Sequence, residues 1–490
     1  MEAFILLSLL SGLAWGVIYL RHASLVQQTF VVILTGSVFG HAFYNYPLGP
    51  FPVTADRILL ALVGLQFLFV VVKRHELRLR LLPLDFAILA LFVCLTASTL
   101  THDFRYKDYM PLGRLLFLNW LPIVAYLIVR FSEVKRGDIP FLLGGLILFG
   151  TYLSATAIAE VGEIYSLVFP SYIYSPEHTE FLGRARGPFL NPIATGIYQI
   201  VCLAAWATAA PHLMKLDAPR RCLVGIPFLA LGLLFLLGIV CTLTRSVWLA
   251  AAGAMFLLVW LPLQWKSRLI LTLATSVLAM STLVVFADRL DSFKRDKNVT
   301  AHEMGESLKL RPLLTTVAFR MFADRPIFGV GFGQYTQYKR PYHHGQTTEQ
   351  PLRKVLPYMQ HNLFLSYLTE TGLVGLSILL TVIGGIAIQT RKLWLHPCCV
   401  PHARTVAVLM MVMLWAHLIN GCFHDTSLVP MTGMLLFFFA GLTANLSCQL
   451  AIQPDSGGPA APLPVWQCLV FGRNTPMAAA TAAPHASSDR

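Results

Sequence analysis

What most constrains this chain is the recurrence of apolar runs long enough to cross a membrane, with few charges inside them. They lie near residues 3–20, 28–43, 58–72, 84–100, 113–129, 140–161, 190–210, 222–243, 246–263, 269–287, 363–389, 405–421 and 428–447. A helix of about 20 apolar residues crosses a hydrocarbon core about 30 Å thick. The runs are continuously apolar and do not alternate over about ten residues as barrel strands do, so helices are expected. A chain that is 56% hydrophobic and 12% charged has more apolar surface than a soluble core can hide, since ordinary domains carry about twice that share of charge. The fold class is therefore all-α: a polytopic integral membrane protein with twelve to thirteen transmembrane helices. That excludes a cytosolic enzyme, a secreted disulfide scaffold and a disordered chain.

In such a protein the formal net charge of +13 reads first as a topology signal and as attraction to membrane lipids, so nucleic acid is not an expected partner. One alternate set of short loops carries Arg21, Lys73, Arg74, Arg78, Arg80, Arg130, Lys135, Arg136, Lys215, Arg220, Arg221, Lys266, Arg268, Arg391, Lys392 and Arg404, which is 16 basic residues. The other carries Arg57, Arg105, Lys107, Arg114, Arg184, Arg186 and Arg245, which is 7. The richer set is expected in the cytoplasm. The outer side then receives 162–189, the turn at Arg245, one large loop over 288–362 and the turn 422–427. That large loop holds twelve further Lys and Arg, but loops beyond about 60 residues are exempt from the rule. The nine cysteines lie in or beside apolar runs or in the tail, without zinc spacing. The N-terminus lacks the basic region of a cleaved signal peptide, so the first run is expected to stay as a span. Residues 451–490 turn to Pro, Ala, Ser and Gly and are expected to form a disordered cytoplasmic tail.

Polar groups at the membrane are where function is expected. Arg184-Ala185-Arg186-Gly187-Pro188-Phe189-Leu190-Asn191-Pro192 precedes the seventh run, and its Asn and Pro suit a helix start. Thr242-Leu243-Thr244-Arg245-Ser246 is the sole break between two long runs. The large loop contains Arg311-Pro312, a helical stretch from Thr315 to Asp324, and Arg325-Pro326-Ile327-Phe328-Gly329-Val330-Gly331-Phe332-Gly333, and it ends at Gln360-His361-Asn362. The glycines do not make a nucleotide loop, because the strand and lysine of such a loop are missing; tight turns explain them. The seventh, ninth and eleventh spans run inward from one face with Arg186, Arg245 and His361 at their starts. Arginines at span ends often only anchor to lipid head groups. Three positive helix ends beside two arginines would also suit a diphosphate, and a histidine there is a natural proton acceptor.

The order Arg186-Gly187-Pro188-Phe189-Leu190-Asn191-Pro192, Thr244-Arg245-Ser246, Asp324-Arg325-Pro326-Ile327-Phe328-Gly329-Val330-Gly331-Phe332-Gly333 and His361-Asn362, with Leu365, Glu370, Gly372 and Gly375, resembles the O-antigen ligase and O-antigen polymerase superfamily. The likeness covers roughly 180–390. It divides the chain into N-terminal helices (1–180), a ligase-like core (181–390), C-terminal helices (391–450) and the tail (451–490). What the resemblance implies is a bacterial inner-membrane glycosyltransferase whose active site and large loop face the periplasm. The donor would be a glycan on undecaprenyl diphosphate, and the acceptor a hydroxyl of lipid A-core, another surface glycan or a protein. Carried onto this chain, Arg186 and Arg245 would hold the diphosphate, Arg311 would assist, and His361 would be the catalytic base.

The diphosphate is a good leaving group, so fixed positive charge and one base suffice, and a single displacement would invert the anomeric centre. No cofactor is expected. No metal is either, since Asp288, Asp291 and Asp296 read as a solvated loop. His343 and His344 are rival bases within the loop. The alternatives are an O-antigen or exopolysaccharide polymerase of the same superfamily, a polysaccharide transporter or flippase, and a noncatalytic assembly scaffold. A transporter would place broken or charged helices at the midplane, whereas here the polar residues cluster at one face and the spans read as uninterrupted.

Overall fold

The structure, a computed structural model, describes residues 22–40, 43, 46–48, 51–74, 80–135, 137–175, 177–178, 180–213, 217–264, 266–274, 301–343, 356, 358–396 and 401–452. The first apolar run, most of the tenth and the tail from 453 lie outside the described residues, as do Asp288, Asp291, Asp296 and His344. The other eleven runs are all helices: α1 (Leu25–Val38), α2 (Ala55–Arg74), α3 (Pro83–Leu100), α4 (Tyr106–Phe131), α5 (Asp138–Val161), α6 (Pro192–Leu213), α7 (Ala218–Cys241), α8 (Arg245–Trp260), then, after the amphipathic α9 (Ala301–Asp324), α10 (Leu363–Leu395), α11 (Pro401–Phe423) and α12 (Pro430–Ile452). Nine of the described helices are long and apolar enough to span a bilayer, and α1 and α8 are shorter apolar helices. The chain is an all-α polytopic membrane protein. The strand pairing among the described residues is a small hairpin, Tyr46–Leu48 against Phe51–Val53.

Burial sorts the helices into centre and rim. About three quarters of the apolar windows of α6 and α12 is buried (72% and 78%), against 17% for α2 and 22% for α7. The rim helices spend their apolar side chains outward, with Leu65, Leu68, Phe69 and Val72 on α2 and Leu223, Ile226 and Leu229 on α7 exposed. In a bilayer those faces meet acyl chains. The centre is closed by α12 against α4, α11 against α6 and α8, and α3 against α10. The N-terminal, ligase-like and C-terminal stretches of sequence thus form one bundle.

The expectation of uninterrupted spans fails at two helices. α4 passes through a π-helical stretch, Arg114–Trp120, which places Arg114 inside the bundle. α10 is broken at Gly372, whose φ is +66°. A break leaves carbonyl and amide groups without helical partners, a heavy cost away from water. The glycine-rich segment supplies those partners. Val330 N–H donates to Thr369 O at 3.0 Å and Gly331 N–H to Glu370 O at 2.9 Å, while Leu373 and Val374 N–H donate back to Pro326 O and Ile327 O at 2.9 and 3.2 Å. Gly329 and Gly372 are glycine because both have positive φ and because a Cβ on either would strike the backbone of the opposite segment. Leu313, Leu314, Val317 and Met321 of α9 then bury Val330 and Tyr335.

Candidate active site

His361, Arg245 and Arg311 come from three separate elements and meet at one end of the bundle. Asn362 is the N-cap of α10: its side chain accepts from Leu365 N–H at 2.9 Å and donates to Cys422 O at 2.7 Å. This fixes His361 one residue before the helix and against the turn that joins α11 to α12, where its ring lies 6.3 Å from that of His424. Arg245 is the first residue of α8, delivered by a turn in which Leu243 takes φ +47° and Thr244 is the cap residue. Arg311 comes from α9, half-buried, and its guanidinium is close enough to Arg245 for the two charges to repel. Burial and that repulsion lower the Arg311 pKa, yet an arginine remains charged at any physiological pH. Two cations held against their repulsion make a place for an anion.

His361 sits in the field of Arg311. Partial burial of its imidazole and the nearby Arg311 push its pKa below the ordinary histidine value, and Asp425 pulls in the opposite direction. The imidazole is therefore biased to the neutral form that can accept a proton. Asp425 is 8% exposed and is held by Ser427, whose N–H it accepts at 3.1 Å. The rival His343 is 2% exposed, with Nδ1 2.7 Å from Lys339 O, so it is built into the loop.

Arg186, expected to hold the diphosphate, has its guanidinium engaged by the protein itself. It is 0% exposed, and its guanidinium is directed inward, with Nη1 donating to His178 O and Glu180 O at 2.6 Å each and Nη2 to Ile173 O at 2.5 Å. Nε lies 3.4 Å from Glu160, whose other oxygen accepts the Arg186 and Gly187 N–H groups at 3.0 Å. With its fork spent on the protein, Arg186 ties the 171–191 segment to α5. The start of α6 is as expected: Asn191 caps it, accepting from Ile193 N–H at 2.9 Å, and Pro192 takes its first position.

Three residues that no motif singled out for chemistry support this end. Arg114 and Glu370 form an ion pair at 2.9 Å with 7% and 1% exposure, and the second Glu370 oxygen accepts the Gly333 N–H at 3.0 Å. The pair locks the glycine-rich segment into the break of α10, and Asp425 lies within electrostatic reach of both. The signal for Arg114, Glu370 and Glu160 was available as ionisable residues within apolar runs, which the bilayer penalises unless they are paired. Among the described residues no three His, Cys, Asp or Glu side chains gather as a metal site.

No individual curated protein matches the chain. A family model described as O-antigen ligase matches residues 230–380, which hold Arg245, Arg311, the glycine-rich segment, His361 and the break in α10. Members of that family are glycosyltransferase-like ligases and polymerases, which implies lipid-linked glycan donors and glycan acceptors. This segment, embedded in a multi-pass helical bundle, makes the chain similar to the O-antigen ligase and polymerase superfamily.

Proposed function

We propose that the protein transfers a glycan from undecaprenyl diphosphate to an acceptor hydroxyl of lipid A-core, another surface glycan or a protein, at the periplasmic face of a bacterial inner membrane. The observation that carries this reading is the convergence of Arg245, Arg311 and His361 inside the matched segment. Arg245 and Arg311 hold the diphosphate, and Arg186 positions the loop beside it. The acceptor oxygen attacks the anomeric carbon while the bond from that carbon to the phosphate oxygen breaks. The electron pair leaves on the diphosphate, where the two guanidiniums stabilise the growing charge. The hydroxyl proton passes to neutral His361. One displacement of this kind inverts the anomeric centre, and the reading uses no cofactor.

Purified protein with a lipid-linked glycan donor and a candidate acceptor tests this directly: transfer with release of undecaprenyl diphosphate is expected. His361→Ala should lose about 10²–10⁴-fold in rate, the usual share of a general base. Full transfer by that variant overturns the mechanism. The glycan profile of a deletion strain separates the two subtypes. Accumulation of lipid-linked chains marks a ligase, and loss of long chains from every acceptor marks a polymerase.

A further inference from the structure

At the end of the bundle opposite His361, a cavity of about 530 Å³ opens between the start of α3, the end of α10 and the end of α12. Arg80, Arg391, Lys392 and His396 line it, no acidic residue does among the described residues, and its wall includes Ile388 and Leu395, which are 56% and 44% exposed. Asp85, near the start of α3, is spent on Arg130 at 3.1 Å and on Leu82 N–H at 2.7 Å. The Arg80 backbone is fixed as well, since its carbonyl accepts from Arg130 Nη2 at 2.6 Å.

We propose that this cavity binds the phosphate headgroup of an anionic glycerophospholipid, with the acyl chains lying along Ile388 and Leu395. The negative end of the α10 dipole accounts for Arg391 and Lys392 near that helix's last turn. It accounts neither for Arg80, which approaches the start of a different helix, nor for His396 Nδ1, which is buried with no hydrogen-bond partner among the described residues. Three permanent cations without a lining carboxylate call for an anion. An apolar wall running from them along exposed helix surface calls for one that carries chains. Basic pockets at the ends of spans are where such headgroups bind. The chain's own segment 453–490 is a poor occupant, because its two aspartates are offset by two arginines. The site is independent of the transfer chemistry and lies apart from it.

The test is native mass spectrometry of the full chain in neutral detergent, titrated with phosphatidylglycerol and with cardiolipin. Both should bind far better than phosphatidylcholine, and inorganic phosphate should not displace them. Arg391→Gln with Lys392→Gln should weaken binding about tenfold, as expected for charges at a headgroup. A control that removes the same charge elsewhere, Lys73→Gln with Arg220→Gln, should leave binding unchanged. Should the double variant fail to fold, Arg80→Gln, whose side chain is exposed, must weaken binding severalfold by itself. Four results overturn the proposal: equal loss in the control, equal binding of phosphatidylcholine, displacement by inorganic phosphate, or tighter lipid binding after truncation at Ile452, which would make the tail the occupant.

Discussion

A histidine between a guanidinium and a carboxylate is tuned by both, and that tuning can be read from a pH profile. Transfer by a neutral base falls as pH drops through the base's pKa. Arg311 lowers the His361 pKa and Asp425 raises it. Arg311→Gln should therefore move the acid limb of the rate profile to higher pH, and Asp425→Asn should move it to lower pH, measured as initial rates between about pH 5 and 8. Limbs that stay fixed in both variants would exclude His361 as the titrating base. The two motif arginines should also separate. Arg245→Ala is expected to cost about 10²–10³-fold in transfer, like the loss of a fixed donor at developing charge. Arg186→Ala strands the buried Glu160 and should destabilise by about 3–5 kcal/mol, the cost of breaking a buried ion pair, visible as a lower melting temperature. Arg245 and His361 could be placed at span starts from the sequence, and Arg311 was implied by the resemblance alone. The direction of the Arg186 guanidinium was not, because it depends on carbonyls at 173, 178 and 180 that only the folded loop brings together.

At the scale of elements, the apolar runs were sufficient to find every described span, because a helix in hydrocarbon must be continuous in composition. Composition carries no sign of a break that is repaired from elsewhere. α10 reads as one apolar run through Gly372, and its interruption is tolerated only because Pro326–Gly331, 40 or more residues upstream, completes the hydrogen bonding. The expectation of tight turns at the glycines was right for the backbone, and it left open what the turns serve. Gly372→Ala should cost about 1–3 kcal/mol for a side chain forced into positive φ, and more from the clash with Ile327 O. Because Gly333 N–H and Arg114 share Glu370, the glycine-rich segment should then exchange its amide hydrogens faster as a unit. Hydrogen exchange at Val330 and Gly331 checks this, and unchanged protection there would show that the pairing with α10 does not hold the segment.

Over the whole molecule, the loops collect into two ends as the alternation of spans requires. Asp85, Arg130 and Arg80 meet at one end. His361, Arg245, Arg311 and the α11–α12 turn meet at the other. The charge imbalance between the two sets of short loops, 16 against 7, is what supports the proposal that the first end is cytoplasmic and the second periplasmic. Two positions test the assignment: Cys422 in the α11–α12 turn and a Ser267→Cys substitution near the start of the helical stretch 266–274 that follows α8, both exposed. In variants otherwise free of cysteine, a membrane-impermeant maleimide should label Cys422 in intact spheroplasts and should label position 267 only after the membrane is opened. The labelling of Cys422 should also slow when the lipid-linked donor is bound, because the Cys422 carbonyl holds the Asn362 side chain beside His361. The reverse labelling pattern would put the histidine and its arginines on the cytoplasmic face, away from periplasmic acceptors, and the proposed transfer would have to be given up.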